Sequence, residues 1–260
     1  MRFVSCVILE HYPQYEERAV NSAKYFDEII LIKDYDIEFK YEDRIRNKLK
    51  IIKSGNSLLE KMLDVVANTI GKNIMLLDGD DYFSDEIKSF LYTVRLTFMQ
   101  DEFIKLRTKN NIFYFNRTVK DVVTILNKNY DWNISGTMFY NDGKLIFTGN
   151  RSIDKQLMFN AINKKLDISI ITTNGLIKTN NDNSVMNNIE RKEFEKDTIN
   201  GMKSLISFAN SDIAYYYLSL VVQNSLVRSE KLSFRLIKYA ILTMLKFGYY
   251  KPLLNLMVKL

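Results

Sequence analysis

Short apolar runs return along the N-terminal part of the chain at intervals that leave room for a helix between them. This rhythm limits the fold more than any other feature. Arg2–Leu9, Glu28–Lys33 ("EIILIK"), Leu49–Lys53 ("LKIIK") and Asn73–Leu77 each read as a strand. The runs are continuously apolar, as in strands covered on both faces. Between them, Tyr15–Tyr25 and Leu58–Ile70 read as helices. Leu58, Leu59, Met62, Leu63 and Val66 keep helical spacing, and Gly71 reads as a C-cap. Strands alternating with helices imply an α/β chain with a mostly parallel sheet in a doubly wound layer.

The fourth strand ends abruptly. In "NIMLLDGDDYFSDE" the apolar residues Ile74–Leu77 run into Asp78-Gly79-Asp80-Asp81. Ligands of open α/β sheets bind beyond the carboxyl ends of the strands, which is where these carboxylates fall. Two carboxylates ~4 Å apart repel by about 4 kcal/mol at an effective dielectric of 20, so a cation between them is favourable. Hard oxygen donors suit Mg²⁺ or Mn²⁺, which complete their shells with water and substrate phosphates. Gly79 lets the turn approach a ligand closely. The competing reading is a solvated acidic turn that caps the next helix at Ser84.

Further along, Phe103–Arg107, Ile112–Asn116, Ile168–Thr172 and Leu176–Lys178 read as strands. Val119–Asn127 and Ser152–Lys165 read as helices. Asp142-Gly143 between two β-prone runs signals a hairpin. From about Glu193 the pattern is helical. The expected domains are 1–192, with halves at 1–100 and 101–192, and a helical extension at 193–260.

Composition narrows the classes. With 47% hydrophobic residues and 13% aromatics, the chain can bury a sizeable core. The single cysteine, Cys6, excludes an internal disulfide and fits a reducing compartment. The N-terminus reads as a first strand, not a signal peptide. No uncharged apolar run reaches the roughly 18 residues of a membrane span. The net charge of +6 is localised: Arg228, Lys231, Arg235, Lys238, Lys246, Lys251 and Lys259 against Glu230 leave residues 1–227 neutral. A nucleic-acid surface would spread basic residues over the body, so no nucleic acid partner is expected. The basic residues stand among Leu232, Leu236, Ile237, Ile241, Met244 and Leu245, a combination that suits an anionic membrane surface or a helix packed on the body or on a second subunit.

The ordered set of motifs resembles the inverting glycosyltransferases of family 2, with the GT-A fold. "VSCVILEHY" stands where that family runs its first strand into a nucleotide-binding loop. "EIILIKDYD" offers Asp34 where the family has an aspartate facing the base. "KIIKSGNSLLEKMLDVVANTIGKNIMLLDGDDYF" follows the family's order of strand, Asn/Gly turn, helix and DXD strand. "NISGTMFY" resembles the segment before the acceptor site, and "GNRSIDKQLMFNAINKKLDISII" the helix that carries the catalytic base. "NDNSVMNN" resembles the Ser-Val segment that follows. The resemblance spans roughly residues 1–190.

It implies a metal-dependent, inverting transfer of a sugar from a UDP- or GDP-sugar to an acceptor hydroxyl of a glycan, lipid-linked or protein acceptor. Asp80 and Asp78 would hold Mn²⁺ or Mg²⁺, with Asp81 a helper. Glu10, His11, Asp34, Asn56, Asp78 and Gly79 would bind the nucleotide-sugar. Asp154 would be the general base, and Trp132, Gly136 and Arg151 would line the acceptor side. The expected location is the cytoplasm or the cytoplasmic membrane surface. The sequence departs from the family's pattern in three places, one of them the second-strand pair Lys33-Asp34. Leu9-Glu10-His11-Tyr12 replaces the usual Pro-Thr-Tyr-Asn, and Ile153 replaces the acidic neighbour of the base. Two other readings stay open. Asp-x-Asp also occurs in phosphatases, where it follows the first strand. The loss at Ile153 also fits a non-catalytic glycan- or nucleotide-binding protein on a degenerate scaffold. Singly, each residue has a plainer reading: Asp154 as a helix first-turn residue stabilised by the dipole, His11 and Arg151 as surface, and Trp132 as core.

Overall fold

The computed structural model describes residues 2–107, 134–145, 147, 153–164 and 166–179, with positions 238 and 241. The chain divides into two compact units. The first holds Met1–Thr118, Asp131–Leu145 and Lys165–Asn181. In it the strands are β1 (Val4–Glu10), β2 (Glu28–Lys33), β3 (Leu49–Lys53), β4 (Asn73–Asp78), β5 (Tyr82–Phe83), β6 (Glu102–Arg107), β7 (Thr137–Tyr140), β8 (Asp167–Thr172) and β9 (Leu176–Ile177). Its helices are α1 (Pro13–Ser22), α2 (Asp43–Arg46), α3 (Leu58–Asn68) and α4 (Ile87–Thr97).

Seven strands form one sheet in the order β3-β2-β1-β4-β7-β6-β8. β3, β2, β1 and β4 run parallel, and β6 and β8 are parallel to each other. β7 lies antiparallel between β4 and β6. A second, two-stranded sheet pairs β5 with β9. All seven residues of β1 are buried, as are five of the six in β2, which fits their unbroken apolar runs. Phe26, Ile29, Leu31, Met75, Leu77, Ile87 and Leu91 form part of the core beside the sheet.

Local signals explain the helix starts. Pro13 stands at the first turn of α1, where its missing N–H costs nothing. Ser57 and Glu60 form a reciprocal capping box at α3: the Ser57 hydroxyl accepts from the Glu60 N–H, and the Glu60 carboxylate from the Ser57 N–H, both at 3.1 Å.

Three expectations are corrected. The hairpin signalled by Asp142-Gly143 does not form on Thr137–Tyr140, because β4 and β6 occupy both edges of β7. Asp142-Gly143 is instead a tight turn: Gly143 has φ +77°, and Asp142 Oδ1 accepts the Lys144 N–H at 3.0 Å. The acidic turn does not cap α4, since β5 intervenes and α4 begins after Glu86. α3 ends at Asn68, so Gly71 (φ +78°) is not its cap but sits in the turn into β4.

The second unit contributes α5 (Ile153–Asn163), in which Ile153, Gln156, Leu157 and Asn160 are buried. The strand expected at 112–116, the helix expected at 119–127 and, apart from positions 238 and 241, the helical extension at 193–260 lie outside the described residues.

Candidate functional site

Strand order reverses at β1: β2 lies on one side and β4 on the other. The crevice at such a switch point is the usual ligand site of an open α/β sheet. Register brings Leu9 beside Asp78 and Glu10 beside Lys33, so the carboxyl ends of β1, β2 and β4 converge.

At the end of β4 the turn is drawn onto β1. The Gly79 N–H donates to Leu9 O at 2.9 Å, and the Asp81 N–H to Asp78 O at 3.0 Å. The Glu10 carboxyl occupies the space a Cβ on Gly79 would need, so no other residue fits at position 79 without displacing it. Asp81 is buried and engaged: it accepts from the Ser135 hydroxyl at 2.5 Å and from the Thr179 N–H at 2.9 Å. The Ser135 Oγ also accepts the Asp78 N–H at 2.9 Å. Asp81 therefore clamps the turn to β7 and β9. Arg18 of α1 donates to Asp80 O at 2.6 Å and to the Thr179 hydroxyl at 3.0 Å, with its guanidinium 4.6 Å from the Tyr82 ring centre.

Asp78 is left in a negative field. Its carboxyl is held well above the usual aspartate range by burial first, then by Asp80, Asp81 and Glu10. Glu10 is fully buried, and its pKa is pushed up to about 7, again mainly by burial. Its Oε1 accepts the N–H groups of His11 and Tyr12 at 3.0 and 2.7 Å, while its Oε2 has no partner. The donors at this turn are carboxylate oxygens, the chemistry of a hard divalent cation. Among the described residues no three His, Cys, Asp or Glu side chains converge on one point. A cation held here would take two protein carboxylates and complete its shell with other oxygen donors.

The β2 side is organised by a residue the sequence reading missed. Lys61, on α3, is fully buried. Its ammonium donates to Glu10 O and lies 3.0 Å from Asp34 Oδ2 and 2.9 Å from His11 Nδ1. His11 Nδ1 lies 3.2 Å from the same Asp34 oxygen. Burial lowers the pKa of Lys61, and Asp34 opposes that; burial and then Lys61 lower that of His11. Beneath them Lys33 pairs with buried Glu16 at 3.0 Å, and Tyr41 donates its hydroxyl to the same carboxylate.

Of the expected site residues, Glu10, His11, Asp34, Asp78, Gly79 and Asp80 come together at this edge. Asn56 is exposed in the turn between β3 and α3. Gly136 is buried with φ +73°; a Cβ there would meet Leu176 and Leu106 at 2.7 and 2.8 Å. From that segment it is Ser135, not Gly136, whose side chain reaches the acidic turn. Asp154 is the second residue of α5, and its side chain lies outside the described residues, as do Trp132 and Arg151.

No family model matches the chain, and no curated protein matches it. Solved structures do share its fold. The crystal structure of S. aureus TarS 1–349 matches with a TM-score of 0.63 at 13% identity, over 94% of this chain and 80% of that one. A longer S. aureus TarS structure gives 0.62 at 12% identity, and there the chain spans about half (48%) of its length. The mannosyltransferase PcManGT from Pyrobaculum calidifontis, in complex with GDP-Man and Mn²⁺, gives 0.52 at 8% identity, over 96% of this chain and 88% of that one. At such identities the likeness is one of fold, and the fold is the GT-A type of nucleotide-sugar transferases.

Proposed function

We propose that this chain is an inverting, family 2-like glycosyltransferase that moves a sugar from a UDP- or GDP-sugar to an acceptor hydroxyl. The observation that carries the reading is the carboxylate turn at the switch point of a GT-A sheet, where burial and then Asp80, Asp81 and Glu10 hold the Asp78 carboxyl well above the usual range. Asp80 and Asp78 hold Mn²⁺ or Mg²⁺, and the mannosyltransferase of like fold bound to GDP-Man and Mn²⁺ supports that choice. When bound, the cation neutralises charge developing on the departing diphosphate. Glu10, His11, Asp34 and Asn56 serve the nucleotide end.

Asp154 takes the acceptor proton as the hydroxyl oxygen bonds to the anomeric carbon and the diphosphate oxygen leaves from the opposite face. This single displacement inverts the centre. Trp132, Arg151 and the backbone at Gly136 belong to the acceptor side. Residues 1–192 make up the catalytic part and 193–260 an extension. General-base catalysis is worth about 10²–10⁴-fold, so Asp154→Asn should cut turnover at least ~10²-fold at unchanged nucleotide affinity. Turnover that survives in Asp154→Asn removes that base. Nucleotide-sugar binding with no turnover in the wild type favours the non-catalytic reading.

The extension is proposed to rest on anionic membrane, which would set the enzyme at the cytoplasmic membrane surface near a lipid-linked acceptor. Its basic residues among apolar ones support this, each contributing about 1 kcal/mol close to such a surface. Among the described residues no helix is long and apolar enough to cross a membrane. Co-sedimentation with anionic vesicles at low salt decides; a chain ending at Val227 should lose it. If the full chain ignores the vesicles, packing on the body or a homodimer is the better account.

A further inference from the structure

We infer that Lys61 is a positioning residue that locks His11 in its neutral Nε2–H form, so that the first loop offers the donor nucleotide one fixed N–H donor beside one free Asp34 oxygen. The inference rests on the nucleotide-sugar reading only for the identity of the ligand. The lock itself follows from counting protons.

A charged lysine has three N–H donors and no acceptor. The Lys61 ammonium, with no exposed surface, has three acceptors around it: Glu10 O, Asp34 Oδ2 at 3.0 Å and His11 Nδ1 at 2.9 Å. The ammonium has no lone pair to receive a proton, so Nδ1, 2.9 Å away, must accept. A proton on Nδ1 would set two N–H donors against each other at 2.9 Å and strand one lysine proton in a buried site. The 3.2 Å approach of Nδ1 to Asp34 is then two acceptors gathered around one ammonium. The imidazole proton stands on Nε2, since the partner of one ring nitrogen sets the state of the other.

The charged and titratable groups around the ring come from three elements: Lys61 of α3, Asp34 beyond β2, and Glu10 of β1, whose carboxylate accepts the His11 backbone N–H at 3.0 Å. Lys61 offsets Asp34, and Glu10, pushed up to about 7, keeps its proton over the lower part of the range, which leaves little net charge to draw a second proton onto the ring. Burial opposes it further. Two valences of the triad remain. His11 Nε2 and Asp34 Oδ1 have no partner among the described residues, and neither is sealed from solvent. They form a donor–acceptor pair at the carboxyl ends of β1 and β2, where a nucleobase edge carrying an acceptor beside an N–H can meet both.

His11 is the only histidine, so its ring nitrogens can be read in the full chain without assignment. Side-chain ¹H–¹⁵N correlation spectra should show the neutral Nε2–H tautomer throughout about pH 5.5–8, the window in which a free imidazole titrates. A proton on Nδ1, or ordinary titration in the wild type, overturns the lock. Lys61→Met should move the ring's titration up relative to wild type, because Asp34 then acts against burial alone. Should Lys61→Met not fold, Asp34→Asn serves: the ring should stay neutral to still lower pH, since only the cation remains, and a titration moved up overturns the inference. UDP and GDP, each added with Mn²⁺, test the contact. The one that binds calorimetrically should move the Nε2 proton resonance, and binding that leaves it unmoved overturns the contact. If neither nucleotide binds, the functional reading fails, while the tautomer still stands or falls on the ligand-free spectrum.

Discussion

Two neighbouring ends of the same sheet treat charge in opposite ways. At β2 two carboxylates each have a lysine: half-buried Asp34 has Lys61 and buried Glu16 has Lys33. At β4 three acids crowd one turn. Asp78 is pushed up by Asp80, Asp81 and Glu10 as well as by burial, and the nearby guanidinium of Arg18 is spent partly on a backbone carbonyl. A charge that the fold neutralises for itself sets side-chain positions. A charge the fold leaves over costs stability in the empty protein and is recovered only when a cation arrives. The pairing at β2 thus fixes side-chain positions, while under the proposed function the β4 acids would receive the cation.

The sharpest break in this contrast is Asp80→Asn. The fold should survive, because Asp81, Ser135 and Gly79 tie the turn through bonds that the substitution leaves in place. The Mn²⁺-stimulated part of nucleotide-sugar binding should vanish. Calorimetric binding equal to wild type in that variant would mean that the β4 acids are scaffolding too, and the contrast would be lost.

The next largest effect lies on the compensated side. Lys33→Met leaves Glu16 buried beside Tyr41 with no cation. Removing one partner of a buried pair costs about 3–5 kcal/mol, so denaturant unfolding should shift by that much. Replacing both, as Lys33→Met with Glu16→Leu, should recover most of the loss. If the single variant is as stable as wild type, the pair is not compensating anything.

The unbroken apolar runs made the parallel half of the sheet readable, and the bounds of β2 and β3 came directly from "EIILIK" and "LKIIK". The acidic turn was equally visible, because three carboxylates after an apolar strand stand out locally. What surrounds it was not. Ser135 reaches Asp78 from 57 positions downstream, and Thr179 reaches Asp81 from 98. Such partners are set by sheet order, which no local pattern carries. β7 shows the same limit: Asp142-Gly143 marks a turn but cannot say which strands flank it. Lys61 did leave a trace. It sits with Leu58 and Val65 on one helical face, so a lysine on the stripe that also holds Met62 could have been flagged as buried and paired. The Ser57-x-x-Glu60 pattern could likewise have been flagged as the start of α3.

Glu10 lies between the two regions, and its proton tests which one it joins. Its carboxyl is fully buried and pushed up to about 7 from an ordinary 4.5, by burial first and by the charge of Glu16 in part. The N–H groups of Tyr12 and His11, and Lys61 more weakly, pull the other way. The folded protein therefore keeps a proton that the unfolded chain gives up near the ordinary value. Between roughly pH 4.5 and 7 the folded state binds more protons, so this group's contribution falls as pH rises and is flat above that window. Glu10→Gln keeps the shape and removes the titration. Each tenfold difference in proton affinity between the folded and unfolded states is worth about 1.4 kcal/mol. Without divalent cation the variant should therefore match wild type near pH 5 and exceed it near pH 8 by about 1–3 kcal/mol. Asp78, raised in the same direction, adds a slope of the same sign to both proteins, so the informative quantity is the difference between their melting curves. A difference that grows with pH puts Glu10 with the crowded acids of the β4 end. A difference that stays constant would show a Glu10 ionised throughout, served by its backbone donors and Lys61, and would move it to the compensated side.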